Sequence, residues 1–238
     1  MSAVTARVLA RARRVDVDAP LALWLIDLCR APVIEAIGWL SHDELRHAQH
    51  LVSPRHRDRY LNAHIAMRAV LETHCGVAAC LQHFVTGRHG KPLLTSRAHW
   101  HFSLSYAGDV ALLGIAFGHA VGVDVERDRH VPGAAALSSL HFQAHERHLL
   151  AHMPFRLRRG RGFLRIWTRQ EACLKALGQS LLLPPTRVNA GATGTAPVTI
   201  DGHEAVVGSC IPCPGYTGAW ACLGPDPMPP EPLFPALQ

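Results

Sequence analysis

Two acidic side chains, Asp124 and Glu126, stand two residues apart in a stretch whose pattern predicts a β-strand. Side chains on a strand alternate between its faces, so both carboxylates share one face, about 7 Å apart, while Val121, Val123 and Val125 point into a core. Carboxylates on one face repel each other and stay ionised where a cation lies between them, and such an oxygen-only pair suits Mg²⁺. An isolated D-x-E more often marks the solvated face of a strand, so a metal site needs a further ligand.

Trp167, Glu171 and Lys175 follow at i, i+4 and i+8 in segment 162–177, whose pattern predicts a helix that ends at Gly178. At about 3.6 residues per turn, the three side chains form one stripe along that helix. The simplest interpretation of Glu171 and Lys175 is an ion pair within the helix, with no role in a site. Trp167 favours instead a helix that packs beside a core or a cleft. In that case Glu171 would add a third carboxylate to the strand pair, and Lys175 could neutralise a phosphate bound to the same metal.

The elements that would position these residues are predicted from periodicity and capping signals. Residues 21–28 predict a buried strand, Ser41 and Glu44 have the spacing of a capping box at a helix start, and residues 57–73 have helical spacing. Three strands are predicted to form an antiparallel meander: Trp100–Ser105, Val110–Phe117 and Val121–Glu126.

The C-terminal part of the chain carries weaker signals. We predict helical structure near residues 141–153, a hairpin at 191–202, and a proline-laden, extended or disordered tail from residue 224.

The composition limits the class of protein. The chain has 238 residues, 48% of them hydrophobic, which is enough for one or two domains with real cores. Its seven cysteines are an odd, scattered number, which favours a reducing, cytoplasmic location over a disulfide framework. No apolar run is long enough for a membrane span, and no secretory signal is evident.

The net charge of +6 suits an anionic partner, which leaves nucleic acid, an acidic protein and a phosphate-rich small molecule open. A nucleic-acid binder is the weakest of these, because the chain lacks a recognition helix, zinc-finger spacing and an aromatic RNA-binding signature. We therefore expect no specific binding of nucleic acid.

Four motifs in order carry a family resemblance: GRHGKP (87–92), HFSLSYAGD (101–109), VGVDVE (121–126) and WTRQEACLKALG (167–178). Together they resemble the 4′-phosphopantetheinyl transferase superfamily, and the length points to its larger, surfactin-synthetase-activating type. The resemblance implies an α+β fold of two similar subdomains related by a pseudo-twofold, each with an antiparallel sheet packed against helices. The two halves would be residues 1–119 and residues 120–223, and coenzyme A would lie in the cleft between them. A proline-rich tail would follow at residues 224–238.

The resemblance also implies roles for individual residues. Asp124, Glu126 and Glu171 match the acids that bind magnesium, and Lys175 matches the lysine that holds the coenzyme A phosphates and assists the leaving group. Further positions match residues that contact the nucleotide or its 3′-phosphate: Arg59, Lys91, Ser105 and Tyr106.

The implied reaction transfers the phosphopantetheine arm of coenzyme A to a serine of an apo acyl or peptidyl carrier protein and releases 3′,5′-ADP. The general base would be Glu171, or Glu126 acting through a bound water. A monomer would suffice, since one chain contains both halves.

Two departures from the family pattern motivate an alternative. Tyr106 stands in place of a histidine that contacts the 3′-phosphate, and Gln170 replaces a lysine, which we expect to remove a positive charge beside the site. A homologue that binds coenzyme A or a carrier protein without catalysing transfer is therefore the second hypothesis.

Overall fold

The computed structural model describes residues 1–87, 90–154, 160–179 and 188–225. Two short 3₁₀ turns, Ile34–Trp39 and Ala79–Leu81, accompany the regular elements. The described helices and strands are, in chain order, α1 (Ala3–Leu9), β1 (Ala12–Val15), β2 (Ala22–Asp27), α2 (His42–His50), α3 (Pro54–Cys75), β3 (Phe84–Thr86), β4 (Pro92–Leu94), β5 (Trp100–Ala107), β6 (Val110–Phe117), β7 (His119–Arg127), α4 (Ala134–His141), α5 (Ala144–His152), α6 (Arg161–Ala176), β8 (Ala196–Ile200), β9 (His203–Cys210) and β10 (Tyr216–Pro225).

The described strands form two four-stranded antiparallel sheets and one two-stranded ribbon. The first sheet has the order β1-β2-β6-β5, the second the order β7-β10-β9-β8, and β3 pairs with β4. α3 packs on the first sheet through a core that includes Ile65, Phe102 and Leu113. α6 packs on the second sheet through small side chains such as Ala172 and Ala219. The predicted α+β class, with a sheet and a packed helix in each half, is confirmed.

β7 lies where the two sheets meet, and both of its faces are buried. Val121, Val123 and Val125 join a core with Leu23 of the first sheet and Trp220 of the second. The predicted alternation is confirmed for these valines. The opposite face of β7 is turned toward α6 rather than toward water.

The predicted three-stranded meander is wrong at its third strand. β5 and β6 pair through the turn at Ala107↔Val110, but β7 pairs with β10 instead of β6. Both edges of β6 are already occupied, by β2 on one side and β5 on the other. The chain therefore turns at Gly118, where φ is +68°, and starts the second sheet.

The helix predictions hold in position and differ in extent. Ser41 and Glu44 form the predicted capping box of α2, and α3 extends beyond the predicted 57–73 at both ends. The predicted helical region 141–153 corresponds to α5, and α4 precedes it and ends at His141. α6 matches the prediction and ends in a Schellman motif, in which Gln179 N donates to Leu174 O and Gly178 N donates to Lys175 O.

The predicted hairpin at 191–202 is displaced along the chain. Its turn is Asp201–Gly202, with φ values of +50° and +83°, and it joins β8 to β9. Because β9 runs to Cys210, the second strand of the hairpin lies beyond the predicted segment.

The subdomain boundaries stay predictions. β7 begins at His119 and β10 ends at Pro225, close to the limits drawn from the sequence. Residues 226–238 of the predicted tail lie outside the described residues. Among the described helices, none combines the length and apolar character that crossing a membrane requires.

Candidate active site

The contact between α6 and β7 depends on Gly122, which shares a strand face with Asp124. A Cβ atom at position 122 would overlap the carbonyl oxygen of Ala172 and the amide nitrogen of Ala176, both in the backbone of α6. Only glycine permits so close an approach. The helix turn that carries Glu171 and Lys175 therefore lies directly over Asp124.

Asp124 is the centre of a compact polar cluster. The Lys175 Nζ lies 2.6 Å from Asp124 Oδ1 and 3.3 Å from Ser105 Oγ, and the Ser105 hydroxyl donates to the same Oδ1 at 2.8 Å. Asp124 is 6% exposed, and within the described part of the chain its Oδ2 is buried without a hydrogen-bond partner. The cluster thus joins the first half of the chain, through Ser105 on β5, to the second half.

The charge of Asp124 affects the pKa values of Glu171 and Glu126. Burial is the main cause that raises the pKa of Glu171 to about 7, and Asp124 and Glu126 raise it further, while the Lys175 ammonium opposes the rise. Burial, followed by the charge of Asp124, also raises the pKa of Glu126, and Arg129 and Lys175 oppose that rise. Glu171 and Glu126 are therefore close enough to Asp124 for its charge to disfavour their ionisation.

The donor set fits a divalent cation, although it is not preassembled. Across residues 1–87, 90–154, 160–179 and 188–225, no three His, Cys, Asp or Glu side chains are arranged as ready metal ligands. Asp124 is neutralised instead by Lys175. The unpartnered Oδ2 of Asp124, together with the neighbouring carboxylates of Glu126 and Glu171, fits the oxygen ligands that a divalent cation prefers.

A cleft of about 770 Å³ reaches this cluster at Glu171 and Lys175. Its walls are mostly apolar and include Phe84, Phe102 and Tyr106. A pocket of this size and lining suits a substrate with an apolar or aromatic body and charged groups at one end.

The cleft is also lined by a partly buried ionic network that the sequence did not reveal. Glu44 accepts hydrogen bonds from Arg68 at 2.5 Å and from His64 at 2.9 Å, besides capping α2 at Ser41. Burial raises the pKa of Glu44, but these hydrogen bonds outweigh it and lower the value to about 2. The sequence signal that could have revealed this network is the i, i+4 spacing of His64 and Arg68, which places both side chains on one face of α3.

The structure brings most of the predicted site residues together. Lys91, Tyr106, Glu171 and Lys175 line the cleft, and Ser105 belongs to the cluster at its end. Tyr106 is 44% exposed, and burial raises the pKa of its phenol, which therefore stays neutral at physiological pH.

Arg59 is not brought to the cleft. Its guanidinium binds Asp109, with Nε at 3.0 Å and Nη2 at 2.5 Å from Oδ1, and Arg55 binds the same carboxylate. These residues line a separate pocket of about 150 Å³. The predicted contact between Arg59 and the nucleotide therefore has no support from its position.

Gln170 does not remove a charge from beside the site, contrary to expectation. Its side chain is buried, and its Nε2 donates to Glu146 Oε2 at 2.6 Å. The buried Glu146 carboxylate also accepts from Gln143 N at 3.0 Å and Ala190 N at 3.1 Å. Residue 170 precedes Glu171 by less than a third of a helix turn, so its side chain leaves α6 on another face, and this departure concerns the packing of α5 against α6.

Comparison with known proteins agrees with this geometry. The chain is 30% identical over 164 residues to 4′-phosphopantetheinyl transferase HetI of Nostoc sp. strain PCC 7120, an alignment that covers 67% of this chain and 69% of that relative. The chain belongs to the 4′-phosphopantetheinyl transferase superfamily. A model of this superfamily matches residues 120–211, a segment that contains all but the first residue of β7, the whole of α6 and the three acids.

A second superfamily relative extends over the same share of the chain. It is named "Putative 4′-phosphopantetheinyl transferase slr0495", from Synechocystis sp. strain PCC 6803. The two proteins are 26% identical over 162 residues, which is 67% of this chain and 65% of the relative. The superfamily predicted from the four motifs is confirmed, and its larger type stays a prediction.

Proposed function

We propose that the protein transfers 4′-phosphopantetheine from coenzyme A to a serine of an apo acyl or peptidyl carrier protein, with a divalent cation, Mg²⁺ first among them. The observation that carries this proposal is the contact of Lys175 with Asp124, beside the coupled carboxylates Glu126 and Glu171, at the end of a cleft of about 770 Å³. Superfamily membership supports the same reaction class.

Asp124, Glu126 and Glu171 would hold the cation, whose chemistry is to offset the negative charge of the pyrophosphate. Lys175 is the mobile partner of this set, since its ammonium is a compact point charge on a flexible stem and its side chain is 31% exposed. With coenzyme A in the cleft, Lys175 would turn from Asp124 to the phosphate that departs as part of 3′,5′-ADP.

The serine hydroxyl must lose a proton as its oxygen bonds to the phosphorus next to pantetheine and the anhydride bond breaks. Glu171, which lines the cleft, is the proposed proton acceptor, with Glu126 acting through a bound water as the alternative. The pyrophosphate oxygen leaves on 3′,5′-ADP.

The partner is proposed to be an acidic carrier protein. The chain has a net charge of +6, and complementary charge raises the rate of encounter. One chain supplies the residues of the cluster from both halves, so we propose that the monomer is active. The free thiols at all seven cysteines suit the proposed cytoplasmic location.

The roles are tested by Glu171→Gln and Asp124→Asn. Each variant should reduce the release of 3′,5′-ADP in the presence of an apo carrier and Mg²⁺ by roughly 10²-fold or more, the scale expected when a general base or a charge-stabilising group is lost. Glu35→Gln is the control, because Glu35 forms an exposed ion pair with Arg7 and does not line the cleft. Near wild-type turnover in either site variant would refute its assigned role.

A further inference from the structure

The two lysines of this chain meet at the same end of α6. Of its 24 basic residues counted as Lys or Arg, only Lys91 and Lys175 are lysines. Lys175 contacts Asp124 from within α6, whereas Lys91 belongs to the connection between β3 and β4 in the first half of the chain.

The ammonium of Lys91 contacts two backbone carbonyl groups. Its Nζ donates to the carbonyl oxygen of Val121 on β7 at 2.9 Å and to that of Ala176, the last residue of α6, at 3.2 Å. Lys91 thereby links three elements: the β3–β4 connection, the strand that carries Asp124 and the helix that carries Glu171 and Lys175.

Within the described part of the chain, the carbonyl of Ala176 accepts from Lys91 and from no backbone amide. The three preceding carbonyls, of Cys173, Leu174 and Lys175, accept from the amides of Leu177, Gln179 and Gly178. A cation at a helix C-terminus satisfies such an orphan carbonyl and interacts favourably with the helix dipole. Lys91 therefore completes the C-terminal cap of α6 from the other half of the molecule.

The second carbonyl fixes where that helix end lies. Val121 directly precedes Gly122, the residue whose missing side chain allows α6 to approach β7. The ammonium thus holds the strand and the helix together one residue from their closest approach. Lys175 immediately precedes Ala176, so the same link fixes the backbone from which Lys175 reaches Asp124.

We infer that Lys91 is a positioning residue, which fixes the end of α6 against β7 so that Lys175 and Glu171 face Asp124. Although Lys91 lines the cleft, its ammonium is directed to two carbonyl oxygens at the junction of the two halves. The catalytic consequence rests on the proposed function, but the effect on the position of α6 does not.

Two variants separate positioning from direct binding of a phosphate. Lys91→Met removes the positive charge. Lys91→Arg keeps the charge but replaces the compact ammonium by a planar guanidinium, which binds a phosphate well and fits two converging carbonyl oxygens poorly. Positioning predicts that both variants lose function, whereas a phosphate contact predicts that arginine substitutes for lysine. Arg7→Met is the matched control, since Arg7 on α1 forms an exposed ion pair with Glu35.

The first measurement is amide hydrogen exchange of the full chain without ligands. Both variants should exchange about tenfold faster than the wild type across residues 171–179, as expected when a charged hydrogen bond is lost, with α3 unchanged. Unchanged exchange there in both variants would overturn the inference, whether or not the wild type transfers phosphopantetheine.

The second measurement separates the effect of each variant on kcat from its effect on the binding of coenzyme A and 3′,5′-ADP. With coenzyme A, an apo carrier and Mg²⁺, kcat should fall roughly tenfold to a hundredfold in both variants, as for a misplaced catalytic group. The KM for coenzyme A and the Kd for 3′,5′-ADP should stay within twofold of the wild type. A tenfold weaker Kd in Lys91→Met that Lys91→Arg restores, with kcat unchanged, would assign Lys91 to the ligand instead.

Discussion

Asp124 has a different electrostatic role from the other two acids of the cluster. It accepts hydrogen bonds from Lys175 and Ser105, while Glu171 and Glu126 lie beside it with raised pKa values. The Lys175 ammonium therefore offsets only part of the negative charge that this cluster can carry. The remaining repulsion is what a bound cation would relieve.

The raised pKa of Glu171 predicts a pH dependence of stability. Because the folded state holds the Glu171 proton up to a pH of about 7, against 4.5 for the ordinary group, this residue destabilises the fold increasingly as pH rises through that window. Glu171→Gln removes the effect, so the Tm of the variant minus that of the wild type should increase from pH 4.5 to pH 7. Thermal unfolding of both proteins without metal, at a series of pH values, measures this difference.

Glu35→Gln is the control for that series. Glu35 is exposed, and its pKa is lowered, mainly by the hydrogen bond from Arg7. Its titration therefore falls below the window, and the Tm difference of this variant should stay flat from pH 4.5 to pH 7. A flat difference for Glu171→Gln as well would contradict the raised pKa of Glu171.

At the scale of elements, the site depends on how closely α6 lies on β7. Gly122→Ala places a methyl group against the backbone of α6 near Ala172 and Ala176, where no side chain can move aside. We expect a loss of stability of about 1–3 kcal/mol and a larger loss of transfer activity, because the helix must shift away from Asp124. Urea unfolding and a transfer assay measure the two effects.

Gly38→Ala is the matched control for this variant. A Cβ atom at Gly38, in the 3₁₀ turn Ile34–Trp39, would meet no atom within 4 Å. Its stability and activity should equal those of the wild type. If Gly122→Ala behaves like Gly38→Ala, the close approach of α6 and β7 does not position the site.

Sequence periodicity predicted the parts of the site that lie within single elements. Alternation placed Asp124 opposite the valines of β7, and the i, i+4 spacing placed Glu171 and Lys175 on one face of α6. Contacts between distant elements leave no such periodic signal. The pairing of β7 with β10, the capping of Ala176 by Lys91 and the bond from Gln170 to Glu146 are of this kind.

At the scale of the whole molecule, the cleft is built by both halves of the chain. The first half supplies the walls on β3 and β5, together with the network of Glu44, His64 and Arg68, and the second half supplies Glu171 and Lys175. Superfamily membership and this division support one reaction centre at the junction of the halves. The four motifs predicted the superfamily, but not the position of Arg59, which binds Asp109 outside the cleft.

Intact-mass analysis of apo carrier proteins tests the central claim most directly. Each carrier would be incubated with the wild-type chain, coenzyme A and Mg²⁺, beside a chelator control and a carrier whose acceptor serine is replaced by alanine. We predict that at least one carrier gains the mass of a single phosphopantetheinyl group, and that chelation or loss of the serine prevents the gain. An unchanged mass in acyl and peptidyl carriers alike, with a properly folded chain, would contradict the assignment of a transferase.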